Sequence, residues 1–255
     1  MEPVSTAIVG YLAEKVVSAT ESAVKTHVIE RWSRYRARQF FEAFSASLLD
    51  VSTSDEQLRT KLDDLLADET RSQVVFDAYR SVCLTKSRNL GPRIIAFLTA
   101  ELVAVSRVAS EEEEAIFAAA EELTDSELDE VSSYVQAQLE KSQVADEPKP
   151  TLSAHGSLVV PHGSESIDAT RTSMQPHSVA PLDLGDNLGR WALKLKRLGL
   201  IADDVSERFY RYEADTERYI DEPGTAREIT WSVTFHRAAL RLATLVKRAA
   251  AKSET

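Results

Sequence analysis

The sequence predicts a mainly α-helical chain, an N-terminal multi-helix bundle followed by a small C-terminal α+β module of winged-helix-like character. Three observations carry this expectation. Glycine and proline are scarce, eight of each in 255 residues, and unevenly placed, which favours long helices over a turn-rich β fold. Apolar residues recur at three- and four-residue steps through most of the first 141 positions, the period of a helix with one buried face. Clean two-residue alternation is confined to the C-terminal part, at residues 228–235.

Taken in order, Val4 to Leu48 holds no proline and one glycine, Gly10. Its apolar positions, from Ile8 and Leu12 through Val28, Trp32 and Tyr35 to Phe40, Phe41, Phe44 and Leu48, predict one long helix or two in tandem. Ser54 with Gln57 opens the next helix as a capping box, in which hydroxyl and acid or amide satisfy each other's backbone amides. A helix over Glu69 to Thr85 follows on Val74, Val75, Ala78 and Val82 and stops at Asn89-Leu90-Gly91. Pro92 suits the first position of a further helix, to about Val108, because its missing amide costs nothing there. That helix is apolar on nearly every side, so other helices should surround it. Ser110 with Glu113 and Thr124 with Glu127 are two more capping boxes.

From Ser142 to Pro181 the composition changes to Pro, Gly, Ser and Thr. Residues 142–181 are expected to be a linker or irregular insertion with a short strand at Leu158 to Val160, separating a bundle (1–141) from a module (182–255). In the module, a helix from Leu184 to Leu198 should end at Gly199, and Phe209 to Glu213 should form a strand. Pro223-Gly224 marks a turn. Ile229, Trp231, Val233 and Phe235 then share one strand face, and a last helix should run from His236 to Ala250.

The net charge of −11 is concentrated: residues 1–145 carry −10, 146–179 carry −2 and 180–255 carry +1. The bundle is therefore a poor general phosphate binder. A single cysteine, Cys83, excludes an internal disulfide and a Cys-rich zinc site, and its apolar surroundings suggest a buried, inert thiol. No secretory signal is evident, and no run reaches about 18 uninterrupted apolar residues. A cytoplasmic protein without a membrane span is expected.

Motifs that bind phosphate or zinc, or that present an activated serine, are absent from the sequence. Among the five histidines, His155, His162 and His177 lie in the expected linker at spacings that match no zinc pattern. No catalytic, cofactor-binding or metal-ligating residue is expected, and no cofactor. Charged clusters are the remaining candidates. Arg31, Arg34, Arg36 and Arg38 surround Trp32 and Tyr35, so Arg31, Arg34 and Arg38 could contact a nucleic acid or an acidic partner. We prefer a helix whose arginines pair one turn away, with Glu30 and Glu42 at hand, while the aromatics enter the core. Lys86, Arg88 and Arg93 flank the break before Pro92 and could hold an anion at a helix N-terminus, although such residues more often stabilise the preceding helix end. The block Ser110 to Glu130 holds ten carboxylates and no base. Helix dipoles explain much of it, and the excess could face Arg31 to Arg38 or a partner. Arg190, Lys194, Lys196 and Arg197 line what would be a recognition helix, with Arg190, Lys194 and Arg197 as contacts to DNA. Six carboxylates between Glu207 and Glu222 oppose phosphate, so a protein partner is preferred over DNA, with self-association as a further expectation.

The segments Leu123-Thr124-Asp125-Ser126-Glu127-Leu128 and Leu195-Lys196-Arg197-Leu198-Gly199-Leu200-Ile201, in this order of elements, resemble the Abi-alpha (abortive infection) type of bacterial helical proteins. The resemblance implies a role in bacterial antiphage defence or in a mobile-element island. Together with the absent motifs it leads to the expectation of a non-enzymatic interaction or sensor protein, with a DNA-binding winged-helix regulator as the alternative.

Overall fold

A computed structural model describes residues 27–48, 60, 63–65, 67–142, 150–168, 183–212 and 224–251. The helix expected before His27 and the capping box at Ser54 lie outside these. Two compact units emerge, Met1–Tyr134 with Arg241–Thr255, and Val135–Leu240.

The first unit is built from α1 (His27–Leu48), α2 (Glu69–Leu84), α3 (Leu90–Ala104), α4 (Glu111–Glu122), the start of α5 (Asp125–Lys141) and most of α8 (Arg237–Ala251). The helix α3 is the hub, with α1, α2 and α4 packed on it. Ile94, Ile95, Ala96, Phe97 and Leu98 are all fully buried, as an all-round apolar helix requires. Phe40, Phe41 and Phe44 of α1 form a ring cluster, with centroids 5.1 and 5.6 Å apart. Each buried phenyl contributes about 1.5–3 kcal/mol. The buried hydroxyls of Ser45 and Thr99 donate to the carbonyls of Phe41 and Ile95 one turn back, so neither is left unsatisfied.

Helix starts follow the predicted caps. Ser110 and Glu113 complete both arms of a capping box, and Thr124 and Glu127 do the same, with Thr124 N donating to Glu127 at 2.9 Å and Glu127 N to Thr124 at 3.3 Å. The hub begins earlier than expected, at Leu90, which puts Pro92 third rather than first. The third amide is still one of the four without an intrahelical acceptor, so proline is tolerated there too. The helix also ends earlier, at Ala104. Ser106 takes φ 49° while Arg107 N bonds Leu102 O and Ser106 N bonds Val103 O, a Schellman ending with serine in the usual glycine place.

Gly91 lies where chain segments meet most closely. A Cβ there would stand 2.6 Å from Ala120 O, 2.7 Å from Thr85 Oγ1 and 2.8 Å from Ser87 Cβ. The gap is bridged by Thr85 Oγ1 donating to Ala120 O at 2.7 Å and Lys86 N to Glu121 O at 2.8 Å. Gly91→Ala should therefore destabilise the fold by about 1–3 kcal/mol. A lowered urea midpoint at unchanged m-value is the expected readout, and an unchanged midpoint would show that the α3–α4 contact has room to spare.

The second unit holds a four-stranded antiparallel sheet, order β1-β2-β4-β3, of β1 (Thr151–Leu152), β2 (Leu158–Asp168), β3 (Ile201–Tyr212) and β4 (Gly224–Phe235). With it go α6 (Leu184–Leu188) and α7 (Arg190–Arg197). The alternation of β4 is as predicted: Ile229, Val233 and Phe235 are buried, and Trp191 of α7 lies 6.3 Å from the Phe235 ring. The single helix expected from Leu184 to Leu198 is broken at Gly189, which takes φ 101°, while Gly199, at φ 68°, closes α7 as expected, with Leu200 N on Leu195 O at 2.9 Å.

Three expectations need correction. The stretch 142–181 is not simply a linker, because β1 and β2 lie inside it and β2 pairs with β4 from Leu158 to Asp168. Pro161 and Gly163 flank a register shift, and a bulge is where a strand accommodates such residues. The first strand of the hairpin begins at Ile201, eight residues before Phe209. Its residues 204–208 are exposed, so no alternation marks it. Finally, residues 182–255 are not one module, since α8 from Arg241 onward belongs with the helical body. There Ser132 Oγ donates to Ala243 O at 3.1 Å, and the Arg248 guanidinium lies 4.3 Å from the centre of the Phe97 ring.

Candidate functional site

The charged clusters turn out to be occupied largely by the protein itself. In α1 only the backbone of Arg31 is described. Arg34 is exposed, and Arg38 pairs with Glu42 one turn on at 2.8 Å, the arrangement preferred from sequence. Tyr35, expected in the core, is 40% exposed. Its hydroxyl donates to Asn89 at 3.0 Å, and Arg88 stacks over its ring at 4.9 Å. Two clusters 54 residues apart at Tyr35 and Asn89 thus meet at one place. Lys86 is exposed. Arg93 is a structural residue, donating to Gln39 at 2.8 Å and to Ala249 O near the end of α8 at 3.0 Å.

An anion does sit at the N-terminus of α3, and it is the protein's own. Asp125 accepts from the amides of Leu90 (2.8 Å), Arg88 (3.0 Å) and Asn89 (3.1 Å) and from the Ser87 hydroxyl (2.5 Å). Burial alone would raise this carboxyl. The hydrogen bonds from Ser87 and from the three amides outweigh it and leave the group below its ordinary value. The cap residue Asn89 makes no side-chain capping bond of its own, so α5 supplies the cap that α3 lacks. The slot for an external phosphate is filled.

The acidic block is likewise partly consumed. Glu113, 1% exposed, receives Arg107 at 2.6 and 2.7 Å and Arg241 at 2.9 Å, so its partners are these residues and not Arg31 to Arg38. Arg241 also reaches Glu101 at 2.6 Å. Cys83 is half-buried rather than buried. Burial pushes its thiol up, against a Tyr79 hydrogen bond and the Arg36 charge that lower it, so it stays protonated and a poor nucleophile.

In the second unit Arg190 and Arg197 are exposed on α7 and Lys194 is half-buried. Lys196 pairs with Asp203 of β3 at 2.6 Å, and this bond holds Asp203 below its ordinary range. Among the described residues no three His, Cys, Asp or Glu side chains gather as a metal site. No described helix is long and apolar enough to cross a membrane.

What remains open is a groove of about 690 Å³ in the helical body. One wall is α2, where Glu69, Gln73, Asp77 and Ser81 succeed each other at four-residue steps; the other is α4, through Glu114, Phe117, Ala118 and Glu121. Both spacings put those side chains on one helix face. Val74, Ala78, Leu102, Val108 and Phe117 supply apolar lining. Val108 is 69% exposed, unusual for a residue beside so much apolar surface. Glu69, Asp77, Glu114 and Glu121 bring four carboxylates, and among the described residues no basic side chain lines the groove. Sequence reasoning missed it. Polar residues at four-residue steps are what any solvated helix face shows, and the facing of α2 and α4 has no local signal. No protein family, characterised protein or solved structure matches the chain.

Proposed function

We propose that this chain is a non-enzymatic bacterial interaction protein that docks a partner protein through the groove between α2 and α4, in antiphage defence. The observation that carries the docking role is the groove itself, an apolar trough left open while Arg38, Arg93, Asp125 and Glu113 are engaged by the protein's own groups. Val108, 69% exposed, adds exposed apolar surface to the groove's lining, and exposed apolar surface marks interaction sites. The defence role rests on the resemblance at Leu123–Leu128 and Leu195–Ile201, where Asp125 and Gly199 serve the fold as described.

The test is affinity purification of the full chain from bacterial cells with and without phage. A specific partner captured by the wild-type chain and lost with Val108→Asn/Phe117→Ala is expected. No partner under either condition would overturn the reading.

DNA binding is a second reading, favoured by one observation. The succession β2-α6-α7-β3-β4, with strand order β2-β4-β3, is compatible with a winged-helix reading, in which α7 would be the recognition helix carrying Arg190, Lys194 and Arg197. Asp183, Asp186, Asp203, Asp204 and Glu207 lie on the same elements or at their caps and oppose a phosphate backbone, so this reading stands second. A gel shift with duplex DNA decides it. Binding that falls steeply with salt and disappears in Arg190→Ala/Arg197→Ala would promote it, whereas no shift at low salt removes it.

A further inference from the structure

The groove's dimensions and charge say what kind of element fits. Along α2 the lining runs from Glu69 to Ser81, twelve residue steps or about 18 Å at the helical rise. The two α2 carboxylates, Glu69 and Asp77, are eight residues apart, and Glu114 and Glu121 of α4 are seven apart, so each wall presents a pair of acids separated by about 10–12 Å. A trough between two helices receives a third helix by ridge-into-groove packing. A helix of three to four turns spans this length, and basic residues seven or eight positions apart on its flanks recur at the spacing of the acids.

We propose that the occupant is a positively charged amphipathic helix of the partner protein, its apolar stripe on Val74, Val108 and Phe117 and its lysines or arginines on the two rows of acids. The inference rests on the docking reading above and adds the partner's chemistry to it. Two basic-residue-bearing segments of the chain itself fit poorly. Its first 26 residues carry Lys15 and Lys25 against Glu2, Glu14 and Glu21, so charge does not select them. The basic helix α7 has Trp191, Ala192 and Leu195 already buried in its own unit, leaving no apolar stripe to offer. A second copy of the acidic body would be repelled.

The probe is a labelled Leu/Lys peptide of about 16 residues with one apolar stripe, long enough to hold helix, titrated with the full chain by fluorescence anisotropy. Two controls share its length: a Glu-for-Lys version and a scramble that keeps composition and breaks the stripe. Saturable binding of the striped Lys peptide is expected, about fivefold weaker with Glu114→Gln/Glu121→Gln, whose fold is checked by circular dichroism, and weaker again at high salt. Equal binding of the scramble would mean charge alone, and equal binding of the Glu version apolar contact alone. Either result overturns the proposal, as does no binding, or binding unchanged by the rim substitutions. Concentration-dependent dimers lost with the same substitutions would overturn it in favour of self-association. A captured partner that ignores Glu114→Gln/Glu121→Gln but is lost with Val108→Asn/Phe117→Ala would refute the basic helix and leave the docking reading standing.

Discussion

Asp125→Ala should destabilise the helical body by about 3 kcal/mol, although the residue touches neither the aromatic cluster nor the groove. The carboxylate is the acceptor for three successive amides, those of Arg88, Asn89 and Leu90, and for the Ser87 hydroxyl. Losing a helix cap costs about 0.5–2 kcal/mol, and each buried donor left without a partner adds about 1–3 kcal/mol. Water can reach the Arg88 amide, which is exposed, so the sum falls short of the maximum. Ser87 also accepts from Gly91 N at 2.6 Å, and Asn89 is held by Tyr35 at 3.0 Å, so the loss spreads into α1. Asp125→Asn keeps one acceptor oxygen and should cost about half as much. Urea unfolding measures the difference, and hydrogen exchange locates it: the first-turn amides of α3 should lose protection before those of α1. Equal stability of wild type and Asp125→Ala would mean that the α3 N-terminus is capped by solvent.

The same residue shows where sequence reasoning stops. Thr124 with Glu127 is a capping box three residues wide, and a signal of that width can be read directly. Asp125, between them, caps a helix beginning 35 residues earlier, and nothing in its neighbourhood distinguishes it from any acid favouring its own helix start. Glu113 is similar. Its capping role is local and was legible, whereas its burial against Arg107 and Arg241 depends on α8 returning to the body 128 residues later. The hub α3 was legible because a helix apolar on all sides has few ways to leave water. The acid-rimmed groove was not, since Glu69, Asp77, Glu114 and Glu121 look individually like solvated helix residues.

The sheet divides along the same line. Strand β4 has one buried face, so its alternation appears in the sequence. Strand β3 lies at the sheet edge with residues 204–208 exposed. Its conformation is held by the ladder to β4 rather than by burial, and a ladder leaves no pattern in side chains. Strand β2 begins at Leu158 as expected, but its continuation past Val160 to Asp168 is masked by Pro161 and Gly163, residues that break a regular strand and suit the bulge where they lie.

Glu113→Gln should cost about 3 kcal/mol near neutral pH, and the cost should shrink in acid. The carboxylate is 1% exposed and takes both arms of Arg107 and one of Arg241. Removing one member of a buried ion group costs about 3–5 kcal/mol, because the others are left uncompensated. Here the lower end applies, since Arg107 and Arg241 are 47% and 35% exposed and can turn to water. Arg241→Ala should cost less than Glu113→Gln, because Arg107 still neutralises the acid. The Arg107 hydrogen bonds, chiefly, and then those from Ser110 and Arg241, overcome burial and hold the Glu113 carboxyl well below its ordinary 4.5. In acid the unfolded chain therefore binds the proton that the folded chain refuses. The stabilisation is complete above the unfolded value of 4.5 and is lost as pH falls from there toward the folded pKa. Wild type and Glu113→Gln should thus differ most near pH 7, and their stability curves should converge below about pH 4. Curves that stay parallel through that range would show that the Glu113 carboxyl takes up its proton alike in the folded and the unfolded chain, and the Arg107–Glu113–Arg241 contacts would then not act as an ion group that holds α8 to the body.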